Sequence, residues 1–369
     1  MRVRLVEEEA AWLGLREVWN TLLTECRISN IFLTFEWLHT WWQHFGRGKR
    51  LFLLAAEHDH RLVGLAPLVI SRRPWGPRVL EPMGAGVADY HDLIALPGLA
   101  EEAIAAFWAE LSSHSRRWDL LHLPQICGSA ATAGALGQAI GDDGYHLHQS
   151  AGDVCPVLDL PATWEEYLSS LSRKTRMNVR RYARLLEKEF DTSYTVVAKP
   201  EEVGPALNAL FSLHGKRWRR QGLPGVLVSK RRRRFHRELA LALLERGWLR
   251  LHCLHLGDRP SAALLTYCHG NRHFYYIGGF DPDLDRYSVG TVLLSQCIRS
   301  AIEEEAHQFD FLRGAERYKY RMGARDVSYL TLRVTQPKAR SRAALAGFSL
   351  GDRVIGAGKR WVQARQASG

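Results

Sequence analysis

The chain has 369 residues, 46% hydrophobic and 24% charged, enough to bury an ample core and to make two domains or a pair of half-domains. Fifty Lys and Arg against 39 Asp and Glu leave a formal charge of +11. The six cysteines (Cys26, Cys127, Cys155, Cys253, Cys268, Cys297) form no CxxC pair, which points to reduced cytosolic thiols rather than a disulfide framework or a zinc site.

The start, MRVRLVEEEAAW, has no apolar signal core, and no run approaches the roughly eighteen apolar residues that a membrane span needs. A cytoplasmic protein is expected. Residues 57–66 lie between apolar runs and read as strand, tight polar turn and strand. A Gly-rich loop at 82–92 ends in Asp89-Tyr90-His91-Asp92, where either acid can cap the turn. Residues 101–113 predict a helix with Ile104, Phe107, Trp108 and Leu111 on one face.

Metal readings fail on spacing. His58 and His60 sit in a turn, His252 and His255 point to opposite faces of a strand, and His146 and His148 share a face without a third donor. A serine or cysteine hydrolase is also unsupported, because no Gly-x-Ser-x-Gly elbow is present.

Thr163-Trp164-Glu165-Glu166 has capping-box spacing and opens a helical segment. Residues 172–182 are helical and strongly basic, and they link the two halves of the chain. Residues 201–222 predict a helix that turns Val203, Leu207, Leu210, Phe211, His214 and Trp218 inward. An inward His is most often a satisfied core residue, and desolvation lowers its pKa and keeps it neutral. Basic clusters at 173–184, 216–220 and 230–234 suit an anionic partner such as a nucleotide-linked precursor, RNA or anionic lipid; a solvated helix face is the alternative. No helix-turn-helix, zinc or RNA-recognition signature accompanies the charge.

The chain echoes itself. Residues 256–264 repeat the hairpin at 57–66 with a shift of 198, and 309–313 repeat Trp118-Asp119-Leu120-Leu121-His122 with a shift of 191. Two copies of one α/β unit in the same order account for both echoes, and chance likeness of two hairpins is the alternative.

Residues 273–323 hold the most informative stretch. Phe274-Tyr275-Tyr276-Ile277 reads as a buried strand, and Gly278-Gly279 marks a bulge or close approach. Ser288-Val289-Gly290-Thr291 then opens a helix, with Ser288 as its expected N-cap. Free N–H groups at a helix start suit phosphate, although plain capping is the commoner use; neither a Walker loop nor a dinucleotide fingerprint fits. Residues 338–369 are rich in Ala, Gly and Arg, with a basic amphipathic helix expected from about 350 to 367.

That strand, turn and helix, followed by Asp310-Phe311-Leu312-Arg313-Gly314-Ala315-Glu316-Arg317-Tyr318-Lys319, resemble the C-terminal half of GNAT-superfamily acyltransferases of the CelD/BioF2-like group, relatives of the Fem peptidyltransferases. The group's tail, an Asp and a Gly followed by Glu-x-Tyr-Lys, stands complete, whereas the Gln/Arg-x-x-Gly-x-Gly/Ala signature of simple GNAT enzymes is missing. The resemblance implies an α/β (α+β) protein of tandem GNAT-like domains, each a mixed, mostly antiparallel sheet flanked by helices. It implies a degenerate copy over 1–155, basic linking helices over 156–192, a cofactor-competent copy over 193–338 and a basic tail over 339–369.

The activity implied is transfer of an acyl group from acetyl-CoA or a longer acyl-CoA, without a metal, to an amine of a bacterial envelope, polysaccharide or lipid precursor. Ile277, Gly278, Gly279 and Phe280 would hold the thioester carbonyl, and Ser288, Val289, Gly290 and Thr291 the pyrophosphate. Glu316 would accept the amine's proton or simply pair with Lys319, which would otherwise hold a phosphate or carboxylate. Tyr318 or Tyr320 would protonate the thiolate, His214 would orient or deprotonate the acceptor, and Asp310 would cap or orient. Asp89, Tyr90, Asp92 and Arg313 are placed with a small-molecule or lipid-linked acceptor. The rival readings are a Fem-like transferase using aminoacyl-tRNA, a long-chain amino-lipid N-acyltransferase, and a non-catalytic component of exopolysaccharide assembly. Peripheral contact with anionic lipid at the inner membrane face is compatible with each, and nucleic acid enters only as tRNA.

Overall fold

The computed structural model describes residues 1–74, 76–141 and 144–351. Strand β1 (Arg2–Val6) is followed by helices α1 (Glu9–Leu13), α2 (Arg16–Glu25) and α3 (Phe35–Phe45). Strands β2 (Arg50–His58), β3 (Arg61–Arg72), β4 (Arg78–Pro82) and β5 (Ile94–Ala95) precede α4 (Ala100–Ser113), β6 (Leu120–Cys127), α5 (Ala131–Ile140) and β7 (His146–Ala151). Next come β8 (Cys155–Asp159), α6 (Trp164–Ser170), α7 (Arg173–Glu189), β9 (Thr192–Val196), α8 (Pro200–Arg220) and α9 (Lys230–Glu245). The chain closes with β10 (Leu249–Leu256), β11 (Arg259–His269), β12 (Arg272–Phe280), α10 (Val289–Glu303), β13 (Gln308–Asp310), α11 (Arg317–Arg321), β14 (Arg325–Val327) and β15 (Tyr329–Thr335). Residues 339–351 are helical; the rest of the amphipathic tail helix expected to about 367 lies outside the described residues.

Two compact units emerge: residues 1–26, 46–152 and 329 onward form the first, and residues 27–45 and 153–328 the second. In the first, the strands run in the order β1-β2-β3-β4-β6-β15-β7, with β5 added against β3. Strands β2 and β3 are almost continuously buried, as sheets covered on both faces require. Helix α4 lays Ala103, Ile104, Phe107, Trp108 and Leu111 into that core, the face expected from sequence.

The second unit's sheet runs β9-β10-β11-β12-β13-β8-β14. Every neighbour is antiparallel except β12 and β13, which pair in parallel over three residues, Arg272 with Gln308 to Phe274 with Asp310. Helix α10 buries Val289, Val292, Leu293, Leu294, Cys297, Ile298, Ala301 and Ile302 in one core cluster. Each large aliphatic group there contributes roughly 1.5–3 kcal/mol by leaving water. The capping box at α6 is present in full: Thr163 Oγ1 accepts from Glu166 N (3.2 Å), and Thr163 N donates to Glu166 Oε2 (3.3 Å).

The internal repeat is a property of both sheets. Strand for strand the two orders correspond, with the single parallel pair, β4 with β6 and β12 with β13, in the same place. Even the hairpin bulges coincide: the ladder slips between Ala56 and Glu57 in one and between Leu254 and His255 in the other, the shift of 198 seen in sequence. The linear boundaries differ from these units, however. Strand β8, which follows β7, completes the second sheet, and β15, which follows β14, completes the first. Helices α6 and α7, expected as linkers, and α3 belong to the second unit. Hydropathy cannot reveal such an exchange, because a strand reads alike whichever sheet it joins.

Candidate active site

The informative corner lies wholly in the second unit. Strand β13 ends at Asp310, so from Tyr275 onward β12 has lost its parallel neighbour and the two strands part. The β11–β12 ladder also slips between Tyr275 and Ile277, a bulge at Tyr276 that precedes the glycines rather than falling on them. A pocket of about 320 Å³ opens beside the freed strand. Its walls are Gly278, Gly279 and Phe280 of β12, Ser288 to Thr291 at the start of α10, Tyr275, Tyr318, Arg217, Asp285, and the apolar groups Ala262, Ala263, Leu264, Leu284, Leu293, Leu294 and Met322. Ile277, grouped with them from sequence, is not in the lining.

Glycine is required at three points of this wall. A Cβ at Gly278 would stand 2.5 Å from the Tyr275 hydroxyl and 2.9 Å from Leu264 Cδ1, and one at Gly279 would stand 2.5 Å from the backbone N of His214. The adjacent pair thus lets Tyr275 lie over one face of the strand and α8 against the other. A Cβ at Gly290 would meet the Phe280 ring at 2.8 Å.

Ser288 does not cap α10 with its side chain. It takes a left-handed conformation (φ 51°, ψ 42°), and its hydroxyl is hydrogen-bonded to the phenol of Tyr182. Its carbonyl instead accepts from Thr291 N (2.8 Å) and Val292 N (3.1 Å), which leaves the N–H groups of Val289 and Gly290 as the donors at the positive end of the helix.

Arg217 enters the pocket from α8, its guanidinium 4.7 Å from the centre of the Phe280 ring. Its neighbours in the basic cluster do other work. Lys216 Nζ holds Asp281 Oδ1 and Asp283 Oδ2 (both 2.5 Å), and Arg220 donates to Pro282 O (2.7 Å), fixing the 3-10 turn (Pro282–Tyr287) that leads into α10. Arg231 packs over Phe45, and Arg233 donates to Leu227 O (2.6 Å). Sequence reading saw these charges only as a cluster; Arg217's place one turn after inward-facing His214 was the signal for it.

The tail resolves as a self-clamped loop. Buried Asp310 accepts from Leu312 N (2.8 Å) across a left-handed Leu312 (φ 56°) and pairs with Arg272 at 2.8 Å. Lys319, 3% exposed, donates to the carbonyls of Arg313 (2.9 Å), Gly314 (3.0 Å) and Leu312 (3.3 Å), and its ammonium lies 2.8 Å from Glu316 Oε2. Gly314 takes φ +112°, a conformation that strains any residue with a side chain, and a Cβ there would fall 2.6 Å from that carboxylate, which would have to move. Glu316 and Lys319 form an ion pair, and neither lines the pocket. Arg313 faces Asp153 at 3.8 Å and does not line the pocket either.

Secondary structure separates Tyr318 from Tyr320. Residues 317–321 are helical rather than extended, so the two phenols diverge. Tyr318 lines the pocket, whereas Tyr320 is exposed beside Arg317 and Arg321. The Tyr318 hydroxyl is hydrogen-bonded to that of Tyr275; burial, with the nearby Tyr275 and Glu316, pushes its pKa well above 10 and keeps it protonated.

His214 is held behind the glycine strand. Its Nδ1 lies 3.2 Å from Gly278 O, its Nε2 is buried without a partner, and burial lowers its pKa to about 4. It is therefore neutral, as expected, but outside the pocket lining. Asp89, Tyr90 and Asp92 belong to the first unit. There Asp92 Oδ1 accepts from its neighbour Leu93 N (2.9 Å) and from Thr132 Oγ1 (2.5 Å), the turn-cap reading, and burial raises its carboxyl to about 6. Tyr90 stacks on Tyr329 with centroids 4.5 Å apart.

The second unit is thus a mixed sheet whose one parallel pair parts beside a helix start, with a polar-ended pocket in the gap. Residues 173–320 match the family described as acetyltransferase (GNAT) domain, so this part of the chain is such a domain. No curated protein matches the chain. Among solved structures it is similar to FemX (12% identity, TM-score 0.65, covering 90% of this chain and 97% of that one). It is similar also to a conserved protein of unknown function from Bacteroides thetaiotaomicron (12%, 0.60, 91% and 100%). A third is the C-terminal domain of a protein named as a lysylphosphatidylglycerol synthetase from Agrobacterium fabrum (10%, 0.56, 92% and 96%). At these identities the likeness is one of fold.

Proposed function

We propose that the pocket binds an acyl thioester of coenzyme A and that the enzyme passes the acyl group to an amine of a cell-envelope, polysaccharide or lipid precursor. The observation that carries this reading is the single pocket that joins the parted strand, the two N–H donors of Val289 and Gly290, Arg217 and a protonated Tyr318. A diphosphate suits those donors and the Arg217 charge. Bound acyl-CoA would supply the activated acyl group. The protein's share is to shelter the thioester among Leu264, Leu293 and Leu294, to present β12's unpaired edge to its carbonyl, and to hold a proton at Tyr318 for the sulfur that departs. Calorimetry with CoA tests it, with Gly290→Glu as the control: micromolar to millimolar binding by the wild type and none by the variant is expected, and no binding by the wild type removes the reading.

A Fem-like use of aminoacyl-tRNA is the second reading. The exposed basic face of α7 supports it: Arg173, Lys174, Arg181 and Arg184 belong to a helix that packs against α10 and the turn before it. RNA binding whose log affinity falls steeply with log salt, without CoA binding, would favour it. Flotation with anionic vesicles separately tests peripheral membrane contact.

A further inference from the structure

The β11–β12 hairpin and α10 carry the pocket at one end and an unassigned polar cluster at the other. Cys268 and His273 are register partners beside the hairpin turn, and Glu304 is the residue at which α10 ends. Cys268 is six residues along β11 from Ala262 of the pocket wall, about 20 Å at the rise of a strand. The thiol sulfur, a His273 ring nitrogen and a Glu304 carboxylate oxygen all lie within 4.8 Å of one another. His273 is 0% exposed and its Nε2 stands 3.6 Å from Glu304 Oε2; burial, which lowers its pKa, is outweighed by hydrogen bonding to the Cys268 thiol and the Glu304 carboxylate, which push it up to about 9. An imidazole sealed from water between a thiol and a carboxylate, with only long contacts to either, gathers three metal-ligating groups around one space.

We propose that Cys268, His273 and Glu304 bind a divalent transition-metal ion of the zinc class, which clips the end of α10 to the β11–β12 hairpin. Thiolate sulfur, imidazole nitrogen and carboxylate oxygen are the donor set such an ion selects, and three protein donors leave one tetrahedral position for water. The half-exposed Cys268 provides the entry path. Arg250 orients the carboxylate from outside, with Nε 2.9 Å and Nη2 2.8 Å from Glu304 Oε2, and Ser300 donates to Oε1 at 3.1 Å. Binding displaces the Cys268 proton and one His273 ring proton to solvent, so affinity rises with pH. Sequence inspection missed the trio because 31 residues separate His273 from Glu304, and only pairing across the hairpin and along α10 gathers them.

Cobalt(II) titrated into the full chain after removal of metals by chelation tests the site. The expected result is about one ion per chain, a near-ultraviolet thiolate-to-cobalt absorption lost in Cys268→Ser and retained in Cys127→Ser, and a Tm that rises with metal concentration. Glu304→Gln, at a partly exposed position, keeps the absorption but weakens binding at least tenfold. Absence of the band, or a band indifferent to Cys268→Ser, overturns the proposal and leaves the trio as an imidazole sharing its proton with thiol and carboxylate. Should Cys268→Ser fail to fold, an unchanged cobalt affinity in Glu304→Gln overturns it equally.

Discussion

The hydroxyls of Tyr318 and Tyr275 are hydrogen-bonded to each other in the wall of the pocket, and the Tyr275 hydroxyl lies where a side chain on Gly278 would begin. Tyr318 and the glycine strand are therefore one mechanical unit.

Tyr318→Phe removes the proposed proton source while keeping the ring. The expected outcome is a fall in kcat of about 10²–10⁴-fold with KM for the thioester changed little, measured in steady state with acyl-CoA and an amine acceptor. Because the phenol stays protonated well above pH 10, the wild-type rate should show no loss from its ionisation between pH 6 and 9. Activity unaltered by the substitution would remove Tyr318 from the chemistry. Tyr320→Phe serves as the neutral comparison.

Gly278→Ala and Gly279→Ala separate the two faces of one strand. The first pushes on the Tyr275 phenol, so cofactor binding should weaken at least tenfold with the fold retained. The second drives a methyl into the backbone of α8 at His214, which cannot yield, and should lower stability by about 1–3 kcal/mol in urea unfolding. Equal behaviour of the two variants would contradict the geometry.

Lys319→Met leaves three carbonyls and the Glu316 carboxylate without their shared ammonium. A loss of roughly 2 kcal/mol or more is expected, with activity falling in proportion to unfolded protein. Full stability with abolished turnover would instead make Lys319 catalytic.

His214 and His252, each with pKa lowered to about 4, owe this to burial. A histidine depressed from 6.5 folds most favourably when neutral, so its contribution is present above pH 6.5 and lost as pH falls towards 4. The urea midpoint should drop across that window. His214→Gln should flatten its share of the drop, and a midpoint constant from pH 7 to 4 would contradict the buried, neutral state.

Much of this was legible in the chain. The shift of 198 between two hairpins survives as matching bulges, the α4 and α8 faces follow helical spacing, and the Ser288-to-Thr291 turn does line a pocket with Gly278 and Gly279. These are local facts, set by periodicity and by what glycine alone permits. Other roles were decided only when distant segments met. Ser288 lost its capping role to a left-handed backbone, Lys319 turned inward onto the carbonyls of its own loop, and Arg217 alone of its cluster entered the pocket. The destinations of β8 and β15 were likewise undetermined by sequence. Alternation along a strand specifies which face is apolar but not which sheet supplies its hydrogen-bonding edge, and that choice belongs to the tertiary structure.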